Sequence, residues 1–168
     1  MMSKSLKDNV FDLISKNYTK LGDIMPDFKA TNGDLSDFHL SDIKKDFKLI
    51  STAPSIDTKV CFLQTEKFNE EVEKYPNVQF ITITRDLPFA QARVCGSFLK
   101  PNHILLSDAF ARDFGTKTGF AIVFLPLLAR TVMILDKNNK VIYQQIVNPA
   151  AKNEPDYNEV ENFLKTLK

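Results

Sequence analysis

The sequence predicts an α/β domain built on a mixed central sheet flanked by helices. Three observations predict it. Short β-branched, apolar runs such as FKLIST (47–52) and VQFITIT (78–84) alternate with segments of helical period. Two further strand-like runs, TVMIL (131–135) and VIYQQIV (141–147), are joined only by Lys137-Asn138-Asn139-Lys140 and so read as a hairpin. The chain has 168 residues, 43% of them hydrophobic and 26% charged, as in one ordinary globular domain. A chain of that length should bury ~70% of the surface its unfolded form exposes, so it needs no metal or disulfide to fold.

Taken in order, the chain opens on an N-terminal extension, residues 1–21, that reads as loosely attached. Within it Val10, Phe11, Leu13 and Ile14 fall near one side of a short amphipathic helix. Phe28 to Thr31 and Phe38 to Leu40 are short strands around the turn residues Asn32-Gly33-Asp34. FKLIST follows, ended by Pro54. Residues 57–75 read as a helix with Asp57 or Thr58 as N-cap, a stripe of Val60, Leu63, Phe68, Val72 and Tyr75, and Pro76 as its stop. VQFITIT is a buried strand. Residues 87–98 form a short helix started by Pro88 and stopped near Gly96. Ile104 to Leu106 is a brief strand, and Ala109 to Phe114 a helical turn before Gly115. After the hairpin, Pro155 starts a final helix with Tyr157, Val160, Phe163, Leu164 and Leu167 on one face. A thioredoxin-like fold has this order, here spanning residues 22–168. Fold alone gives no function, which must come from a site.

Composition removes several classes. With 22 basic and 21 acidic residues the net charge is +1, which is no footprint of a nucleic-acid binder. KKDFK (44–48) is short, broken by Asp46, and reads as a solvated edge. The longest apolar stretch, FAIVFLPLLA (120–129), is too short to span a membrane and contains Pro126. The N-terminus has scattered charges and no secretory apolar core, so a cytoplasmic location is the default expectation. Cytosolic thiols are kept reduced, so the two cysteines are not expected to form a permanent structural bridge. His39 and His103 lack partners at metal-ligand spacing, no CxxC occurs, and five glycines form no phosphate loop. No bound cofactor is implied.

Cys61 lies three residues after Thr58, in the first turn of the predicted helix. Unpaired N–H groups and a partial positive charge at a helix N-terminus favour a thiolate over a thiol. Thiolates so placed have pKa values of ~3.5–7.5 in known cases. The plain alternative is a buried apolar cysteine. Position alone does not choose between the two.

The surrounding string does. PSIDTKVC (54–61) has the spacing Pro-x-x-x-Thr-x-x-Cys and resembles the peroxidatic-cysteine motif of the peroxiredoxins. FLQTEKFNEE after it, DLPFAQARVCG (86–96), LSDAFARDFG (106–115), LLARTVMILD (127–136) and EPDYNEV (154–160) are similar, in order and kind, to the thiol peroxidase subfamily, the atypical two-cysteine peroxiredoxins. The resemblance runs over residues 22–168. It implies that Cys61 attacks a peroxide and becomes a sulfenic acid, and that Cys95 resolves it as an intrachain disulfide. It further implies reduction by thioredoxin, a homodimer, and no cofactor. Thr58 can place its hydroxyl beside the sulfur or the peroxide while serving as N-cap, and Pro54 can fix the loop and keep water off the sulfur. Arg130 breaks an apolar run; in the family an arginine at the matching LxAR position faces the active cysteine, where its charge meets the developing oxyanion. The competing readings are a strand terminator for Pro54, a surface ion pair for Arg130 and a core residue for Cys95. Phe62 and Phe89, beside the motifs, are candidates to line an apolar peroxide pocket. Lys59 stands where the family usually has a small residue or proline, and FLPLLAR lacks the family's glycine-containing insertion. A redox relay with the same residues, or a non-catalytic thioredoxin-like binding module, stands beside the peroxidase reading.

A magnitude shows how little the thiolate alone explains. Lowering a thiol pKa from ~8.5 to ~6 raises the thiolate fraction near neutral pH roughly thirtyfold. Nucleophilicity falls with a Brønsted slope of ~0.4–0.5, which costs about tenfold or more. Most of a fast peroxide reaction must therefore come from orienting and stabilising the transition state.

Overall fold

The computed structural model describes residues 4–151 and 153–168, so the first three residues of the N-terminal extension lie outside it. Its elements are β1 (Lys29–Thr31), β2 (Asp37–His39), β3 (Phe47–Thr52), α1 (Lys59–Glu71), β4 (Val78–Thr84), α2 (Pro88–Cys95), β5 (His103–Ser107), α3 (Asp113–Thr118), β6 (Thr131–Leu135), β7 (Val141–Ile146) and α4 (Tyr157–Lys165). The strands form one seven-stranded sheet in the order β2-β1-β5-β4-β3-β6-β7. β3, β4 and β5 run parallel through the middle. β6 and β7 extend one side antiparallel, and β1 and β2 the other. This is the expected mixed, thioredoxin-like sheet. The apolar runs at 47–52 and 78–84 occupy its centre because a strand covered on both faces needs no polar side.

The two faces differ. One is apolar, with Ile50, Ile81, Ile83, Leu106, Met133 and Leu135 packed on Phe28, Phe114 and Phe120. The other carries Leu49, Val78, Phe80, Val132 and Ile134 against Phe68 and Val72 from α1 and its following turn, and Val160 and Leu164 from α4. Toward the C-terminal ends of β3 and β4 that second face turns polar, through Ser51, Thr82 and Thr84, all buried. The stripe of α1 matches this change. Its buried residues are Cys61, Gln64, Thr65, Phe68 and Asn69, while Val60 and Leu63 are only half-buried. An apolar-stripe reading fails here because the sheet beneath the helix offers hydrogen-bond partners.

Four other expectations are corrected. The described part of the segment before residue 22 is not loosely attached: Val10, Leu13 and Ile14 join the core, the Ser15 and Thr19 amides donate to Gly119 O and Thr118 O, and the Val123 amide donates to Leu13 O. It forms a 3₁₀ turn at Val10–Asp12 rather than an amphipathic α-helix, with Phe11 turned outward. The helical turn expected at 109–114 is displaced to α3. Arg112 adopts a left-handed conformation (φ 53°), and the buried Asp108 carboxylate accepts from the amides of Phe114 and Gly115 at 2.9 and 3.1 Å, so the helix starts there. Finally, Lys48 is buried, so only part of the 44–48 run is a solvated edge. No helix among the described residues is long and apolar enough to cross a membrane.

Candidate active site

Pro54 lies buried in the loop from β3 to α1. The loop is clamped by Asp86, whose carboxylate accepts from Ser55 Oγ at 2.8 Å, the Ile56 amide at 2.7 Å and Thr84 Oγ1 at 2.6 Å. Asp86 is the first residue of the DLPF string, so the two motifs meet through one carboxylate. Thr58 is the N-cap of α1: its Oγ1 accepts from the Cys61 amide at 3.4 Å and donates to Ser55 O at 3.2 Å. A threonine N-cap contributes ~1 kcal/mol to a helix. Cys61 therefore sits in the first turn of α1, fully buried.

Arg130 is the last residue before β6 and is 1% exposed. Its guanidinium is held on three sides: Nε donates to Ala150 O at 2.9 Å, Nη1 to Gln64 Oε1 at 2.8 Å, and Nη2 reaches Cys61 Sγ at 3.4 Å. Among the described residues no carboxylate lies within ion-pair distance of it. The surface ion pair that an arginine at a strand end suggests is thus ruled out by burial. A buried charge left unpaired is costly, and the Cys61 sulfur is the group at its third side.

Gln64 was not singled out from sequence. It lies one turn after Cys61 on the same face, where i, i+3 spacing could have pointed to it. Its amide is oriented by Ser51 Oγ at 2.6 Å and Thr52 O at 3.2 Å, both accepting from Nε2, so Oε1 is left to face Arg130. The start of β6 is fixed in turn by Thr52, whose Oγ1 donates to Ala129 O at 2.8 Å and accepts from the Thr131 amide at 3.1 Å. Tyr157, read from sequence only as a core residue of α4, carries a buried hydroxyl with no close hydrogen-bond partner among the described residues, and burial pushes its phenol well above its usual range.

Beside the N-terminus of α1 lies a cleft of about 190 Å³ lined by Ile56, Asp57, Thr58, Lys59, Phe62 and Val94. Phe62 lines this cleft. Phe89 does not; it is 62% exposed and outside the cleft. Val94 belongs to α2, so the helix bearing Cys95 forms one wall of the cleft. Cys95 is the last residue of α2, fully buried, and a free thiol like Cys61. Burial first, and the nearby Asp86 charge second, push its thiol up to about 11.

A family model described as Redoxin matches residues 20–160. The chain is 46% identical over 145 residues to a thiol peroxidase of Oceanobacillus iheyensis, covering 86% of this chain and 88% of that one. It is 44% identical over 148 residues to a thiol peroxidase of Bacillus subtilis, covering 88% of each. Among solved structures, a peroxiredoxin-like protein from Aquifex aeolicus superposes with a TM-score of 0.82 at 37% identity, over 92% of this chain and 91% of that one. Sequence similarity along most of the chain and the same fold thus accompany the cysteine, its N-cap and the buried arginine, and the chain belongs to the redoxin family and, within it, to the thiol peroxidases.

Proposed function

We propose that the protein reduces hydrogen peroxide and small organic hydroperoxides at Cys61, with Cys95 as resolving thiol and thioredoxin as reductant. The observation that carries this reading is the buried Arg130 guanidinium, 3.4 Å from the Cys61 sulfur, with no carboxylate partner among the described residues. The sulfur attacks one peroxide oxygen and the O–O bond breaks. The other oxygen leaves as hydroxide or alkoxide and takes a proton, and Cys61 becomes a sulfenic acid. Arg130 and the N-terminus of α1 face the charge that develops on both oxygens. The Thr58 hydroxyl lies at the same turn and can donate to the peroxide by turning its proton away from Ser55 O. Pro54 supplies no N–H and keeps the loop closed over the sulfur. Cys95 then attacks the sulfenic sulfur, a disulfide forms and water leaves. A dithiol reductant restores both thiols.

The same reading places the protein in the cytoplasm, where such reductants are maintained. It assigns a second copy of the chain to the exposed apolar residues Val123 and Phe124, on the segment that leads into Arg130. The test is the free-thiol count and intact mass before and after one equivalent of hydrogen peroxide. Loss of both thiols and of two hydrogens from a monomeric chain supports the cycle, and turnover with thioredoxin separates a peroxidase from a relay. Two persistent thiols with unconsumed peroxide overturn it.

A further inference from the structure

We infer that Asn69 is a positioning residue that latches the Cys95 segment shut and so sets how fast the Cys61 sulfenic acid is resolved. This rests on the Cys61–Cys95 disulfide of the preceding reading. Both cysteines are fully buried, each in its own helix. A disulfide needs their Cα atoms about 4.4–6.8 Å apart with matching side-chain directions, and the latch takes one helix end to open before the two sulfurs join. The two ends are not equally held. The first turn of α1 is fixed by Thr58, Asp86 and the Arg130–Gln64 pair. α2 has eight residues and no side-chain N-cap bond. Gln91 pins its middle, donating to Thr84 Oγ1 at 2.9 Å and Leu106 O at 2.8 Å.

From Ala92 to Ser97 the side chains make no hydrogen bond among the described residues beyond the exposed Arg93–Asp57 pair at 3.8 Å, a geometry worth little. The chain is next held at Phe98 and Lys100, and what holds both is Asn69 on α1. Its Nδ2 donates to Phe98 O at 2.8 Å, and its Oδ1 accepts from the Lys100 amide at 2.9 Å. The carboxamide thus pairs with residues two apart as a neighbouring peptide unit would, and those two bonds fix which way it points. Oδ1 can then only accept, so His103 Nδ1, 3.1 Å away, must carry the proton. His103 Nε2 is left to accept from Thr82 Oγ1 at 2.8 Å. Asn69 is 6% exposed. The latched Phe98 ring also stands edge-on to Phe62, the residue after Cys61, at 5.3 Å between centroids.

The chemistry fits a latch. The sulfenic acid on Cys61 and the thiol of Cys95 become a disulfide and one water, with the peroxide as the only oxidant. Only the second step needs Cys95 to leave its burial. While residues 98 and 100 stay bonded to α1, unwinding the end of α2 strains against them. Releasing them lets Cys95 swing.

The experiment is rapid mixing of Asn69→Ser and the unchanged chain with hydrogen peroxide, following peroxide loss for the first step and the loss of both thiols for the second. The expected result is an unchanged first step and disulfide formation faster by roughly tenfold, or about 1.4 kcal/mol. Less over-oxidised Cys61 at a given peroxide dose should accompany it. A disulfide rate unchanged or slower overturns the latch. Damage to the fold would slow both steps and would not produce acceleration. If Asn69→Ser does not fold, the unchanged chain still decides. Low urea should raise amide exchange at Lys100 and the disulfide rate in parallel, and a disulfide rate that rises while Lys100 stays protected overturns the proposal. If the unchanged chain consumes peroxide but forms no Cys61–Cys95 disulfide, the underlying reading fails; if it forms one at a rate indifferent to Asn69, only the latch does.

Discussion

The two cysteines are equally buried yet occupy opposite electrical environments. Cys61 sits in the first turn of α1, beside the positive end of the helix, with a guanidinium 3.4 Å from its sulfur. Cys95 is the last residue of α2, at the negative end of its helix, with Asp86 as its nearest influential charge and a thiol pushed up to about 11. Burial therefore does not rank them as nucleophiles. What separates them is which helix end each occupies and which charge faces it. In the proposed cycle Cys61 reacts where it stands, and Cys95 only after it moves.

Exchange of each sulfur for oxygen is the severest way to break this comparison. Cys61→Ser should abolish peroxide consumption altogether. Cys95→Ser should keep one fast turnover per chain and lose recycling by a dithiol. A Cys95→Ser chain that still cycles at the normal rate would remove the distinction. Next in size is Arg130→Ala, expected to slow the first step ~10²–10³-fold, as loss of a charge-stabilising donor does. That loss should exceed the fall in reactive thiolate measured by pH titration on the same sample; equal losses would mean that Arg130 acts only on ionisation. Arg130→Lys should not rescue, because one ammonium cannot reach Ala150 O, Gln64 and the sulfur together.

Gln64→Ala should cost less, roughly tenfold in the first step, by leaving Arg130 Nη1 unpartnered and free to turn. Peroxide kinetics that match the unchanged chain would show that Ala150 O alone suffices. For Cys95 the pH dependence sharpens the contrast. Disulfide formation should quicken with pH and level off near the ordinary thiol range, ~8.5, if Cys95 attacks only after leaving its burial. Continued rise toward pH 11 would mean attack from the closed structure. The smallest effect is on stability. A thiol raised in the folded state binds more protons there than in the unfolded chain between pH 9.0 and about 11, so its contribution is intact below that window and lost through it. Cys95→Ser should remove that part of the alkaline loss in unfolding titrations.

Particular residues show how far the sequence could be read. The spacing of Pro54, Thr58 and Cys61 placed the sulfur in a capped first helical turn, and β3, β4 and β6 have the boundaries expected of them. The displaced α3 shows the limit. Its start depends on the Asp108 carboxylate and a left-handed Arg112, and neither is visible in helical periodicity. The N-terminal segment shows another, since its burial depends on a surface made by residues 118–123.

The sequence by itself determined the order of strands and helices, the capped turn that holds Cys61, and the kinds of residue available for chemistry. These rest on spacing within a few residues, where helical and extended geometry fix which groups meet. Only the tertiary structure decided that Arg130 is buried with its guanidinium against the Cys61 sulfur, that Gln64 orients it, and that Asn69 grips the chain beyond Cys95. Those pairs lie 69, 66 and 29 or more residues apart. They meet because β6 lies beside β3, with α1 packed over that face and bonded to the segment after α2, and sheet order is set by how the whole chain buries its apolar faces rather than by any one segment.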